Sequence, residues 1–318
     1  MSTEIIKIES QQQWLGERTK DVTSTEVSAL FGLSPYKTEF ELYHEKRDGV
    51  VVKFEPNERM KWGNRLESAI AHGAAEDMGW NIAKMDVYMR DLNDRMGSSF
   101  DFEILSGENG PGILEVKNVD WVQYQKNWID DGNGNIEAPE HIELQVQHQM
   151  ELSGYSWCAI VALVGGNEQK VVLRNRDREI GASIRSKIAQ FWEQVASGRA
   201  PTADYSKDAE FIIKQLHGNA NPDELLDATT DARINELVKQ YRWVSNEISG
   251  MEAIKDSYKA QLFELIGTAS KVMTQYGTLS CGMTKDSPGT LITPEMVGTT
   301  YGARKGYRNF RFTAKKEQ

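Results

Sequence analysis

Around positions 60–74 a mostly apolar face repeats at helical spacing, where Met60, Gly63, Glu67, Ile70 and Ala74 are separated by steps of three and four. This predicts a long helix opened by Pro56, with Glu67 turned toward the core. Two shorter helices precede it, each announced by a capping box: Thr23 with Glu26 before a helix through Leu30, and Thr38 with Glu41 before one ending near Gly49. Strand signals then take over at residues 87–89, 98–105 and 113–119, and the Gly-rich stretch 107–112 makes the last two a hairpin. A helix over 139–153 follows, then strands over 157–164 and 170–173 joined at Gly165-Gly166-Asn167, then a helix over 178–196. The fold class predicted is mixed α/β, a central mixed sheet flanked by helices.

Beyond Pro201 the pattern turns polar, and Gly218-Asn219-Ala220-Asn221-Pro222 is a cluster of helix and strand breakers. Two domains are expected, residues 1–205 and residues 206–318. In the second, Ile234, Leu237, Tyr241, Val244, Ile248 and Met251 follow near-heptad spacing, which predicts a long helix over 234–266 or a helical hairpin bent near Gly250. The tail from Gly267 predicts short strands and turns, and it is basic and aromatic around Arg304, Tyr307, Arg308 and Phe310. Cation and stacking contacts to a single strand, or a small β element with a polar face, account for that stretch equally well.

Composition narrows the chemistry. With 39% hydrophobic and 26% charged residues the chain is expected to fold, and no stretch approaches the roughly 18 apolar residues of a spanning helix. No basic segment followed by an apolar run marks the N-terminus, so a cytoplasmic protein with no membrane partner is expected. Cys158 and Cys281 are the only cysteines, too few and too far apart for a disulfide framework or thiolate metal site, so a metal must be held by oxygen. A net charge of −10 argues against a protein that coats DNA, but not against a nuclease that gathers carboxylates at a metal site.

Such a gathering is predicted on the hairpin. Alternation puts Glu115 and Lys117 on one strand face and Leu114 and Val116 on the other, and pairing brings Asp101 beside Glu115. Asp101, Glu115 and the Val116 carbonyl suffice as protein ligands for Mg²⁺, with Mn²⁺ expected to substitute. Lys117 is then left to orient or deprotonate water, or to neutralise phosphoryl charge. In isolation a Glu-x-Lys strand pair is more often a solvated ion pair, and Glu67 on an apolar helix face is satisfied by a buried salt bridge as well as by a metal. Gln145 and Gln149, one helical turn apart, border the cluster or form an ordinary polar face. His141 and His148 are expected at the surface. The Arg174, Arg176, Arg178 run follows DNA phosphates or is simply solvated.

The order of these pieces resembles the phage lambda exonuclease family, the YqaJ-type viral recombinases of the PD-(D/E)XK nuclease superfamily. The resemblance covers roughly residues 14–200 and rests on Trp14 through Arg18, Thr23 through Val27, Trp62 through Glu67, the Asp101 strand, Leu114-Glu115-Val116-Lys117 and Gln145-Val146-Gln147. It implies a PD-(D/E)XK core in which Glu67, Asp101 and Glu115 bind metal, Lys117 is the catalytic lysine and Gln145 supports the site. It further implies that Arg18 and Thr25 hold a 5′-phosphate. Two departures stand out: Asp101 lies between Phe100 and Phe102 where the family commonly has Pro and Gly, and Thr25 replaces the family's serine.

The expected activity is 5′→3′ degradation of one strand at double-stranded DNA ends, leaving a 3′ overhang for a single-strand annealing protein. A closed homo-oligomeric ring, a trimer, goes with it. The alternatives are a structure-selective or site-specific endonuclease of the same superfamily and a non-catalytic adaptor whose long helix binds a partner.

Overall fold

Capping chemistry sets most helix boundaries in this computed structural model, which describes residues 3–49, 57–284 and 298. Strand β1 (Thr3–Lys7) leads to helix α1 (Gln11–Arg18), capped by Ser10, and to the short strand β2 (Val22–Thr23). The Glu26 carboxylate accepts from the Thr23 amide at 3.0 Å ahead of α2 (Val27–Leu30). Thr38 accepts from the Glu41 amide at 3.1 Å and caps α3 (Glu39–Asp48). Helix α4 (Glu58–Met78) is capped by Asn57, and Gly79 ends it at φ +66°, a left-handed conformation that favours glycine. Pro56, expected to open this helix, lies outside the described residues.

Five strands follow: β3 (Asn81–Lys84), β4 (Val87–Asp91), β5 (Met96–Ser99), β6 (Phe102–Ser106) and β7 (Gly112–Val119). The single strand expected over residues 98–105 is thus two strands, broken at Phe100 and Asp101. β5 joins a four-stranded sheet of order β1-β4-β5-β2, whereas β6 pairs with β7, Phe102 opposite Leu114. A Cβ at Gly97 in β5 would fall 2.0 Å from the Tyr88 hydroxyl, so any substitution there must displace that side chain.

After β7 come α5 (Trp121–Asn127), the small ribbon β8 (Ile129–Asp130) and β9 (Ile136–Glu137), and α6 (Glu140–Ser153). Strand β10 (Trp157–Val164) returns parallel to β7, and β11 (Glu168–Asn175) runs antiparallel to β10 ahead of α7 (Arg178–Ser197). The central sheet has the order β11-β10-β7-β6-β3. Alternation sorts its side chains: Leu114, Ala159 and Val161 pack with Ile70 and Ala74 of α4, while Ile113, Ile160 and Ala162 pack with Val146 of α6 and Ile184 of α7. The mixed sheet flanked by helices expected from the sequence is the one observed.

The chain divides into two compact units, Met1–His217 and Gly218–Gln318. The first ends with α8 (Ala209–Phe211) and a π-helical turn, Ile212–Leu216, held where Asp208 accepts from the Thr38 hydroxyl at 2.6 Å. The second contains one 35-residue helix, α9 (Ala232–Ile266), unbroken at Gly250, and the hairpin of β12 (Lys271–Thr274) with β13 (Gly277–Ser280). The basic aromatic tail around Arg304 to Phe310 lies outside the described residues. Among the described residues no helix is long and apolar enough to cross a membrane.

Candidate active site

Glu115 and Lys117 share the β7 face that looks toward α6, and α6 supplies their partners. Lys117 Nζ donates to Glu115 Oε1 at 2.6 Å and to Gln145 Oε1 at 3.0 Å, while Gln145 Nε2 donates to the same Glu115 oxygen at 2.6 Å. Gln149, one turn along, donates to Glu115 Oε2 at 2.8 Å and to the Ser99 carbonyl at 3.2 Å. A buried carboxylate is tolerable only with such partners.

Asp101 sits in the break between β5 and β6, one position beyond the Phe102 and Leu114 pair. Its Oδ2 accepts from the Val116 amide at 2.8 Å, and its own carbonyl accepts from the Met85 amide at 3.1 Å. The flanking phenylalanines therefore do not keep Asp101 from Glu115. Burial pushes the Asp101 carboxyl well above the usual carboxylate range, the charges of Glu115 and Glu67 push it further, and Lys117 pulls against them. Burial opposes the Lys117 charge, but Glu115 and Asp101 outweigh it and hold the ammonium above its ordinary range.

Glu67 corrects an expectation. Ile70 and Ala74 on its helix face are buried, but Met60 is exposed and Glu67 lies half-buried, bonded to Lys84 at 2.6 Å. The reason is β3, which the sequence pattern did not announce and which carries Lys84 alongside α4. Among the described residues no three His, Cys, Asp or Glu side chains gather closely enough to enclose a metal by themselves. The donor chemistry nevertheless fits Mg²⁺: Asp101, Glu115 and the Val116 carbonyl offer oxygen, and the buried negative charge that raises Asp101 is what a cation relieves.

These residues line an open cleft of about 1400 Å³ that also holds Trp14, Arg18 and Thr25. Arg18 Nη2 donates to the Thr25 hydroxyl at 3.0 Å and to that of Thr23 at 3.3 Å, with its guanidinium 4.7 Å from the Trp14 ring centre. Asp21, the neighbour available for a surface ion pair with Arg18, instead accepts from Arg90 at 2.6 Å and from Tyr88 at 3.0 Å. The Arg18 corner is fixed from behind by Lys46, whose Nζ donates to the Arg18 carbonyl at 2.6 Å and lies 2.8 Å from Glu26.

Three further outcomes differ from or add to the sequence reading. His148 is not at the surface but fully buried, its Nε2 3.3 Å from the Val22 carbonyl, since α6 packs that face beneath β2. Arg174 and Arg176 are engaged by Glu143 and Glu151 rather than left to follow phosphates. Gln149 and Lys46 add to the site; the one-turn spacing from Gln145 points to the first, and no local signal marks the second.

Residues 13–156 match the YqaJ-like viral recombinase domain. The chain is 28% identical over 247 residues, 77% of its length and 74% of the other's, to the uncharacterized protein YqaJ of Bacillus subtilis (strain 168). Similar solved structures include LHK-Exo, an alkaline exonuclease from Laribacter hongkongensis, at 18% identity and TM-score 0.46 over 64% of this chain and 99% of that one. Another is a phage related exonuclease from Haemophilus somnus 129PT, at 14% identity and TM-score 0.41 over 56% of this chain and 96% of that one.

Proposed function

We propose that this chain is a divalent-metal-dependent nuclease that degrades one strand of linear double-stranded DNA from its 5′ end. The observation that carries the reading is the meeting, in one cleft, of the Glu115, Lys117 and Gln145 cluster beside Asp101 with the Arg18 and Thr25 corner. The viral recombinase domain over residues 13–156 supports it.

Asp101, Glu115 and the Val116 carbonyl would hold Mg²⁺ or Mn²⁺, with Glu67 as an additional carboxylate. When bound, the metal supplies a Lewis acid at the scissile phosphate and acidifies the attacking water. Lys117, kept protonated by Glu115 and Asp101, donates to phosphoryl oxygens as their charge grows. Gln145 fixes the Lys117 ammonium and the Glu115 carboxylate relative to one another. Arg18 presents a planar fork to the terminal 5′-phosphate and Thr25 adds a hydroxyl. Each cleavage then exposes a new 5′-phosphate for the same corner. The product is a 3′ overhang for a single-strand annealing protein, and a closed ring, a trimer, would keep an acidic protein on its substrate.

Linear duplexes with 5′-phosphate, 5′-hydroxyl and covalently closed ends, incubated with and without Mg²⁺, test the reading. Mononucleotide release from open ends only, faster with the phosphate and dependent on metal, is expected. Cutting of covalently closed circles would mark an endonuclease and overturn it.

A further inference from the structure

We propose that α9 pairs with the α9 of a second copy of this chain as an antiparallel two-stranded coiled coil. Steps of three and four alternate without a break along positions 234, 237, 241, 244, 248, 251, 255, 258, 262 and 265, and every one of these but Lys255 is apolar. That is the seam of a coiled coil, and it extends well past the six positions that first suggested a helix. Its apolar positions are open to solvent: no α9 residue is buried, and Met251 and Leu265 are 67% and 85% exposed. Helices in proteins draw most of their stability from packing an apolar face, so a 35-residue helix with an exposed apolar seam calls for a partner along its length.

The seam itself identifies the partner. About its midpoint, between Ser249 and Gly250, it reads nearly the same in both directions. Laid antiparallel in full overlap, Ile234 meets the second copy's Leu265, Leu237 meets Leu262, Tyr241 meets Tyr258 and Ile248 meets Met251. An isologous two-fold interface requires this self-matching, whereas a seam built for a foreign helix has no need of it. The remaining layer sets Lys255 opposite Val244 of the second copy, one turn from that copy's Glu247, an opposite charge within reach of a long side chain. A single lysine in an otherwise apolar seam is a known register-setting device. The parallel arrangement would instead align Glu247 with Glu252 across the interface, two like charges.

Light scattering of the full chain at micromolar concentration tests the pairing. Leu237→Asp with Leu262→Asp should halve the mass, whatever assembly the first unit forms alone, while Asn246→Glu on the opposite helix face leaves it unchanged. Circular dichroism of the variant reports whether helix is kept. Lys255→Leu, which fills the polar layer, should make the assembly more resistant to dilution. For orientation, Leu237→Cys with Leu262→Cys in one chain should cross-link two copies on oxidation, and Leu237→Cys alone should not. An unchanged mass in the double aspartate variant, or efficient cross-linking by Leu237→Cys alone, overturns the proposal.

Discussion

Replacing Lys46 by methionine keeps the stem and removes the charge that sits behind the Arg18 corner. The Lys46 and Glu26 side chains are only 4% and 10% exposed and lie 2.8 Å apart. Burial pushes the Glu26 carboxyl up, but Lys46, Arg18 and Lys37 outweigh it and hold it at about 2 against an ordinary 4.5. Burial also holds the Lys46 ammonium below its ordinary range, so the Glu26 shift gives the direction of the coupling and the cost of breaking the pair sets its size. Removing one member of a buried pair costs about 3–5 kcal/mol, whereas an exposed pair contributes about 0–1. The expected loss for Lys46→Met is therefore about 3–5 kcal/mol. Because the Glu26 carboxyl is held below its unfolded value, the contribution is present above pH 4.5 and disappears as pH falls through 4.5 toward about 2. Urea unfolding of both proteins should show the full gap at neutral pH and a narrowing gap on acidification. A loss under about 1 kcal/mol at neutral pH, or a gap that stays constant in acid, would refute the reasoning.

Gln149→Leu removes the donor to Glu115 Oε2 and should lower the cleavage rate about tenfold to a hundredfold, with about 1–3 kcal/mol of stability lost to the acceptor left unpaired; a rate equal to wild type would deny Gln149 a positioning role. Burial pushes the His148 imidazole down to about 3 from 6.5, so the unfolded chain takes up this proton first and stability falls as pH drops through that window. His148→Leu should flatten the slope of unfolding free energy between those values, and an unaltered slope would count against the assignment. Arg18→Ala should slow digestion of 5′-phosphorylated ends much more than of 5′-hydroxyl ends, and equal slowing would show another role.

Long, strongly periodic elements were legible in the sequence. α6, β10 and α7 fall within a residue or two of where spacing put them, because each buries a continuous face against the sheet. The Glu115 and Lys117 pairing on one face followed from strand alternation alone. What stayed hidden depends on tertiary placement. An apolar run cannot reveal that it changes sheets, so the break at Phe100 and Asp101 was read as continuous strand. α1 buries none of its residues and gave no periodic signal. Lys84 could not be matched to Glu67, nor Lys46 to Glu26, without the strand and helix that bring them together, and His148 is concealed by β2, a strand of two residues.

The central claim, that the cleft around Glu115 and Lys117 hydrolyses DNA ends, is tested most directly by measuring nucleotide release from a 5′-phosphorylated linear duplex in Mg²⁺. The wild-type chain is to be compared with Glu115→Ala and Lys117→Ala, with their folding checked by thermal unfolding. Metal-dependent release by wild type and none by either variant, with both variants folded, is expected. Retained release in either folded variant would contradict it.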